Sequence, residues 1–338
     1  MDMRRVRVGV YGASGYTGAE LLRYLDRHPV LDVVWATAGS NAGRRVIDVS
    51  PHLVRLADLE LQPMDAPPPE LDLAFLALPH GAAAVRGRDL LAAGVRVVDL
   101  SADWRLSDPT LYGSWYGWSH PAPDELSEWV YGLPELHRDR IAGARGIANP
   151  GCYPTAAVLA LQPLVSAGLA VPPVVVDAAS GISGAGRKVD ADYLFTELDA
   201  SYSAYGVGRH RHTPEIEQEL GVPVTFTPHL APMSRGLLAT CYAHAPGADE
   251  GRLRETLERA YGGSPFVRVV SGQPSTKQVW GTNLALIGVG HDARTSTAVV
   301  TCAIDNLGKG AAGQAVQNAN LMLGLAETCG LEAMAVHP

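Results

Sequence analysis

The stretch Val10-Tyr11-Gly12-Ala13-Ser14-Gly15-Tyr16-Thr17-Gly18-Ala19-Glu20-Leu21 decides the fold. Val6, Val8 and Val10 alternate in front of it as a strand does, while Leu21, Leu22 and Leu25 follow at helical spacing. Glycines at every third position between a strand and a helix permit a tight turn. They also let backbone N–H groups approach a pyrophosphate at the positive end of the helix dipole. Gly12, Ala13, Ser14, Gly15, Tyr16, Thr17 and Gly18 are therefore candidate dinucleotide contacts. Val33 to Ala36 reads as a second strand, and Leu71 to Leu78 and Val95 to Leu100 as near-continuous apolar strands. Between the last two lies a helical stretch, Ala82 to Ala93, with Gly94 as its stop. This βαβ alternation implies a parallel sheet covered on both faces. An NAD site usually places an acid about 20 positions beyond the glycine turn. Here the chain reads Thr37-Ala38-Gly39-Ser40-Asn41, with no carboxylate to repel a 2′-phosphate. Ser40 and Arg44, with Asn41 and Arg45 nearby, favour NADP, although two adjacent arginines are also common as a solvated basic pair.

A chain of 338 residues has room for about two domains, each with its own core. After residue 150 strand-like runs at Val174–Ala178, Val222–Pro228, Leu237–Ala245, Leu284–Val289 and Ala298–Ile304 crowd together with few helices between them. They predict a mixed or antiparallel sheet. Gly308 to Leu325 then carries small and apolar residues at helical spacing, as a closing helix packing back on the first domain would. The expected organisation is a Rossmann-type domain, 1–149 with 306–338, and an α+β catalytic and oligomerisation domain, 150–305. The 27 basic and 35 acidic residues leave a net charge of −8, which gives no global attraction for nucleic acid or an anionic membrane. The four cysteines are scattered, the apolar run after the basic amino terminus is too short for a signal peptide, and no run approaches the roughly 18 residues of a membrane span. A cytoplasmic protein with free thiols is expected.

Cys152 precedes Tyr153-Pro154-Thr155 at the start of an apolar helix. A helix amino terminus favours the thiolate, which is the reactive form, so Cys152 is the candidate nucleophile. Cys241 and Cys302 lie in strand-like runs and, with Cys329, read as small buried hydrophobes. The acid or base would come from Gly208-Arg209-His210-Arg211-His212-Thr213-Pro214-Glu215, where either imidazole titrates near neutrality, unless the loop is simply solvated. No H-x-x-x-H or cysteine partner accompanies the pair, so no metal is expected. Arg105, after the strand ending at Leu100, is the first candidate for a phosphate. Arg187, closing the glycine-rich loop from Ser180, is the candidate for a carboxylate.

Taken with Leu78-Pro79-His80-Gly81, Asp99 to Arg105, Tyr131 to Glu135, Asn149 to Thr155, Gly208 to Ile216 and Asp305 to Asn318, these motifs resemble the N-acetyl-γ-glutamyl-phosphate reductase family. That family sits within the aspartate-semialdehyde dehydrogenase-like enzymes. The resemblance runs nearly end to end. It implies NADPH-dependent reduction of an acyl phosphate to an aldehyde in arginine biosynthesis, through a thioester on Cys152. It also implies a homodimer or homotetramer, and cofactor contacts from Ser183, Gly184 and Asn306. His210 is the implied acid or base, with His212 the alternate. One position departs from the pattern: Gly39 stands where the family commonly has an arginine, so the preference for NADPH is expected to be modest. Two other readings fit the same residues. One is the lysine-pathway counterpart acting on a carrier-linked aminoadipyl phosphate, and the other is a cofactor-sensing protein without chemistry.

Overall fold

The computed structural model describes residues 5–187 and 189–336. The chain divides into two compact units. The first is Met1–Gly113, Gly117–Pro150 and Ala311–Glu332, and the second is Ser114–Tyr116, Gly151–Gly310 and Ala333–Pro338.

In the first unit, seven strands form one sheet: β1 (Val6–Tyr11), β2 (Leu31–Thr37), β3 (Leu61–Gln62), β4 (Leu73–Leu76), β5 (Arg96–Asp99), β6 (Trp129–Tyr131) and β7 (Gly146–Ala148). Their order is β3-β2-β1-β4-β5-β7-β6, and every pair is parallel. Helices cover the sheet, which explains the unbroken apolar runs: all four residues of β4 are buried. The order reverses direction between β1 and β4, the position where open α/β sheets bind ligands at the carboxyl ends of their strands. The helix Ala83–Ala92 begins beside Asp103, whose carboxylate accepts the N–H groups of Gly81 at 2.7 Å, Ala83 at 2.9 Å and Ala84 at 3.0 Å. The closing helix Gly313–Met322 is buried along almost its whole length and packs on β5 and on the helices Tyr16–Leu25 and Pro134–Ala142. Its polar side chains are buried with partners. Asn318 Nδ2 donates to Gly132 O at 2.8 Å and to Asn149 Oδ1 at 3.0 Å. Gly132 has to be glycine, since a Cβ there would stand 2.5 Å from Asn318 Nδ2.

The second unit is built on β8 (Val171–Gly181), β9 (Ser203–Ala204), β10 (Val224–Ala231), β11 (Leu237–His244), β12 (Val267–Val269), β13 (Ala285–Asp292) and β14 (Thr297–Ile304), ordered β12-β13-β14-β11-β8-β10-β9. The sheet is mixed: β8 with β10 and β12 with β13 are parallel, and the other pairs antiparallel. The helix Cys152–Ser166 packs on β11 and β14 and against the helices Thr213–Leu220 and Glu250–Tyr261. Leu237, Ala239, Cys241 and Ala243 of β11 point to that buried side, while Tyr242 and His244 are exposed on the other. Cys241 and Cys302 are buried within paired strands, as their runs suggest, but Cys329 is only half-buried.

The unit boundary differs from the expected 305/306 division. Asn306 to Gly310 stay with the second unit because their neighbours there hold them. Asn306 Oδ1 accepts Gly236 N–H at 2.7 Å, and the fully buried Asp305 carboxylate pairs with one edge of Arg235, Nε at 2.8 Å and Nη2 at 3.0 Å. The same carboxylate accepts the N–H groups of Gly281, Leu307 and Gly308. Removing one member of a buried pair strands the other in low dielectric. Asp305→Ala is therefore expected to lower stability by about 3 kcal/mol, read as a fall in the urea midpoint. A change under about 0.5 kcal/mol would show that the pair does not hold this segment.

Candidate active site

The glycine turn leaves the end of β1 at the reversal of strand order. Gly12 has φ +81°, and a Cβ on it would stand 2.3 Å from Ala77 O. A Cβ on Gly18 would stand 2.2 Å from Gly12 O. Neither position tolerates a side chain. Gly15 is different, with nothing nearer than 3.5 Å, so the fold does not demand glycine there and a bare backbone instead leaves room for a ligand to approach. Thr37 at the end of β2 fastens the turn: its hydroxyl accepts Gly12 N–H at 3.2 Å and its carbonyl accepts Ala13 N–H at 2.8 Å. The helix Tyr16–Leu25 then starts with no side-chain cap on Gly15, so its first N–H groups face the turn without a capping side chain. N–H groups of the first helical turn without a side-chain cap, beside glycines at 12 and 18 that cannot carry a Cβ, fit a dinucleotide pyrophosphate.

Beyond β2, Ser40 is exposed, and a Cβ on Gly39 would meet nothing within 4 Å. Arg44 is exposed and leans back on its own loop, Nη1 donating to Asn41 Oδ1 at 3.1 Å and Nη2 to Asp48 O at 2.7 Å. Arg45 is held by Asp48 at 3.3 Å. Both arginines are thus engaged within their own loop, Arg44 on two carbonyl oxygens and Arg45 on a carboxylate.

In the second unit, Cys152 is the first residue of its helix, with Gly151 as an extended N-cap that offers no side chain. A carboxylate from another helix takes that place. Glu215, fully buried in Thr213–Leu220, accepts Gly151 N–H through Oε1 at 2.8 Å. Thr155 returns both its N–H and its hydroxyl to Gly151 O, each at 2.9 Å. On another side, a Cβ on Gly310 would fall 2.7 Å from Cys152 Cβ, so that segment passes Cys152 only because it is glycine. The other thiols are less available: burial pushes Cys241 well above the usual thiol range, and Cys329 is raised by burial too.

The histidine loop reaches the same place. Tyr153, next to the nucleophile, has His210 at 5.8 Å and His212 at 5.9 Å between ring centroids, both edge-on, and His210 also packs on Tyr205 and Phe226. His210 Nδ1 accepts His212 N–H at 3.1 Å, which places the proton of a neutral ring on Nε2. Burial above all, with the Arg211 guanidinium second, pushes His210 down to about 4. It is thus a neutral hydrogen-bond donor near pH 7. His212 is half-buried at the N-cap of Thr213–Leu220.

Ser183, Gly184 and Asn306 also come together, with Asn306 Nδ2 donating to Ser183 Oγ at 2.9 Å and the Gly184 Cα open to solvent. Arg187 is exposed at the end of the same loop. Arg105 departs from expectation. It is only 5% exposed, with Nε donating to Asn149 O at 2.8 Å and Nη2 to Leu100 O at 2.9 Å. Its guanidinium ties the end of β5 to the chain leading toward Cys152 rather than standing open to an anion. Glu215, Thr37 and Gly310 were not singled out by the sequence motifs. Glu215 at the third helical position after His212 was the one visible signal, since a glutamate there often serves as a cap.

Residues 7–144 match the family model described as semialdehyde dehydrogenase, NAD binding domain, and 152–306 match its dimerisation domain. Among known relatives, N-acetyl-gamma-glutamyl-phosphate reductase of Dehalococcoides mccartyi is 49% identical, covering 99% of this chain and 100% of that one. The enzyme of the same name from Symbiobacterium thermophilum is 50% identical over 96% of this chain and 97% of its own. In three dimensions the chain resembles aspartate semialdehyde dehydrogenase II from Vibrio cholerae, with a TM-score of 0.74 at 18% identity over 95% of this chain and 99% of that one. It also resembles the Candida albicans aspartate semialdehyde dehydrogenase solved with NADP, with a TM-score of 0.68 at 17% identity over 94% and 98%. Near-half identity from end to end, a glycine cradle in the matched NAD-binding domain and a helix-start cysteine in the matched dimerisation domain agree, and the chain belongs to the N-acetyl-gamma-glutamyl-phosphate reductase family of semialdehyde dehydrogenases.

Proposed function

We propose that the protein reduces N-acetyl-γ-glutamyl phosphate to the corresponding semialdehyde with release of phosphate, the step used in arginine biosynthesis, in a cytoplasmic homo-oligomer. The observation that carries this reading is Cys152 at a helix start, flanked by the histidine loop, in a chain nearly half identical to reductases of that name. NADPH, when bound along the glycine turn, supplies the hydride. His212 takes the thiol proton of Cys152, and the thiolate attacks the acyl carbonyl. The bond to phosphate breaks with its electron pair leaving on phosphate, and a thioester remains on Sγ. After reduction, the oxyanion takes the proton from His212 and is held by backbone N–H groups of the first helical turn, Gly151 N–H being committed to Glu215. His212 recovers the proton as the C–S bond breaks, and aldehyde and thiolate are regenerated. His210, neutral and with Nδ1 engaged, donates a hydrogen bond from Nε2. Arg105 sets the loop before the nucleophile, Ser183, Gly184 and Asn306 contact the cofactor, and Arg187 meets the substrate carboxylate.

Cys152→Ser is expected to keep NADPH binding and lose at least about 10³-fold in kcat, because a serine hydroxyl gives up its proton far less readily than a thiol and is a far weaker nucleophile. Phosphate-dependent reduction of NADP by the semialdehyde measures it. A loss within tenfold, about 1.4 kcal/mol of barrier, would remove Cys152 from the chemistry.

The two histidines separate by pH. His210 binds its proton near pH 6.5 when unfolded and near 4 when folded, so the stability it contributes is present above 6.5 and is lost as pH falls toward 4. An NMR titration should find its ring neutral at pH 5.5. His212→Asn should lower kcat by about 10² to 10⁴ and remove the acidic limb of the rate profile, whereas His210→Asn should retain that limb. The reverse pattern would exchange their roles.

Cofactor choice follows from the open position at Gly39. Gly39→Arg has space for its side chain and should raise the NADPH to NADH ratio of kcat/KM about tenfold through a charge-assisted bond to the 2′-phosphate. Arg44→Ala should lower it. Equal ratios in both variants and wild type would place the ribose elsewhere.

A further inference from the structure

Tyr205 lies on the arm that leaves β9 and leads to the histidine loop. Its N–H bonds Pro228 O at 3.0 Å, which fixes the arm on β10. Gly206 then turns the chain with φ +57°, and a Cβ there would stand 3.3 Å from His210 Cδ2. The turn therefore lays the Tyr205 ring against His210, with centroids 5.4 Å apart. Its hydroxyl bonds the hydroxyl of Tyr153, the residue after the nucleophile, at 3.2 Å.

The direction of that hydroxyl chain is fixed from its far end. Tyr153 Oη lies 3.0 Å from His229 O, and a backbone carbonyl can only accept. Tyr153 must therefore donate to His229 and accept from Tyr205. The single proton of Tyr205 is thus committed, and among the described residues no donor reaches its oxygen. What Tyr205 Oη presents is a lone pair. Burial above all, reinforced by the charge of Cys152, pushes its phenol up to about 12, so it stays neutral at working pH.

A neutral oxygen with its proton spent recognises a donor and disfavours a carboxylate. The acyl phosphate assigned above carries one neutral donor, the N–H of its acetamido group. We propose that Tyr205 is a specificity-determining residue whose hydroxyl oxygen accepts the amide N–H of the acylated substrate beside Cys152. The assignment rests on the activity proposed above. A site built around such a bond penalises an analogue lacking the donor, because the pocket oxygen is then left dry and unpaired.

The test compares three compounds: N-acetylglutamyl 5-phosphate, its N-methyl analogue, in which a methyl replaces the amide hydrogen, and glutaryl 5-phosphate, which lacks the acetamido group. Wild type should prefer the first over each of the others by at least tenfold in kcat/KM, mainly through KM, since the bond is remote from the reacting carbon. In Tyr205→Phe the preference over glutaryl phosphate should shrink about tenfold, with NADPH binding and melting temperature recorded as controls for folding. An undiminished preference in Tyr205→Phe overturns the assignment. So does equal use of the N-methyl and N–H compounds by wild type, which needs no variant to fold. Absence of turnover of the acetylated compound by wild type would overturn the activity itself, whereas turnover without discrimination would overturn the role of Tyr205 alone.

Discussion

The hydrogen bond from Gly151 N–H to the buried carboxylate of Glu215 is the contact around which the second unit's chemistry is arranged. Gly151 carries no side chain with which to cap its own helix, and the helix Cys152–Ser166 would otherwise begin with that donor unsatisfied in the interior. Glu215 supplies the acceptor from the first turn of a different helix, where a negative charge also suits that helix's own dipole. One carboxylate therefore serves two helix starts. Cys152 leads one of them and His212 is the N-cap of the other, so a cysteine and a histidine 60 residues apart are brought together by a bond that neither makes itself.

Close approach without side chains is the second recurring constraint. Gly310 passes Cys152 where any Cβ would collide, and Gly18 closes on Gly12 in the same way in the first unit. Each segment needs an outside support, because glycine adds conformational freedom that the fold must remove. Asp305 with Arg235 supplies it before Gly310, and Thr37 supplies it for the glycine turn. At the glycine turn and beside Cys152 the close approach is made by backbone, while the side chains that make it possible stand one step behind.

Polar side chains placed near strand ends have different uses in the folded protein, although the sequence presents them alike. Arg105 and Arg187 both follow strands as candidate anion contacts, yet Arg105 is buried on two carbonyls and Arg187 is exposed. His210 and His212 both sit next to Arg211 in one loop and differ in the same manner. One has its Nδ1 taken by the backbone of the other, and its aromatic surroundings hold it neutral.

By itself, the sequence determined the parallel first sheet, the mixed second sheet, the glycine turn and the helix start at Cys152. These depend on local periodicity, on the conformations only glycine allows, and on a helix start that begins at the cysteine itself. The short strands β6 and β7 carried no readable pattern, because three residues cannot establish a period, and only pairing with β5 and with each other makes them strands. The roles of Arg105, Glu215 and Tyr205, and the state of His210, were decided by tertiary structure. Each depends on a carbonyl, N–H or ring from a distant segment, and a hydrogen bond between such segments acquires its direction and its burial only when the chain has closed around it.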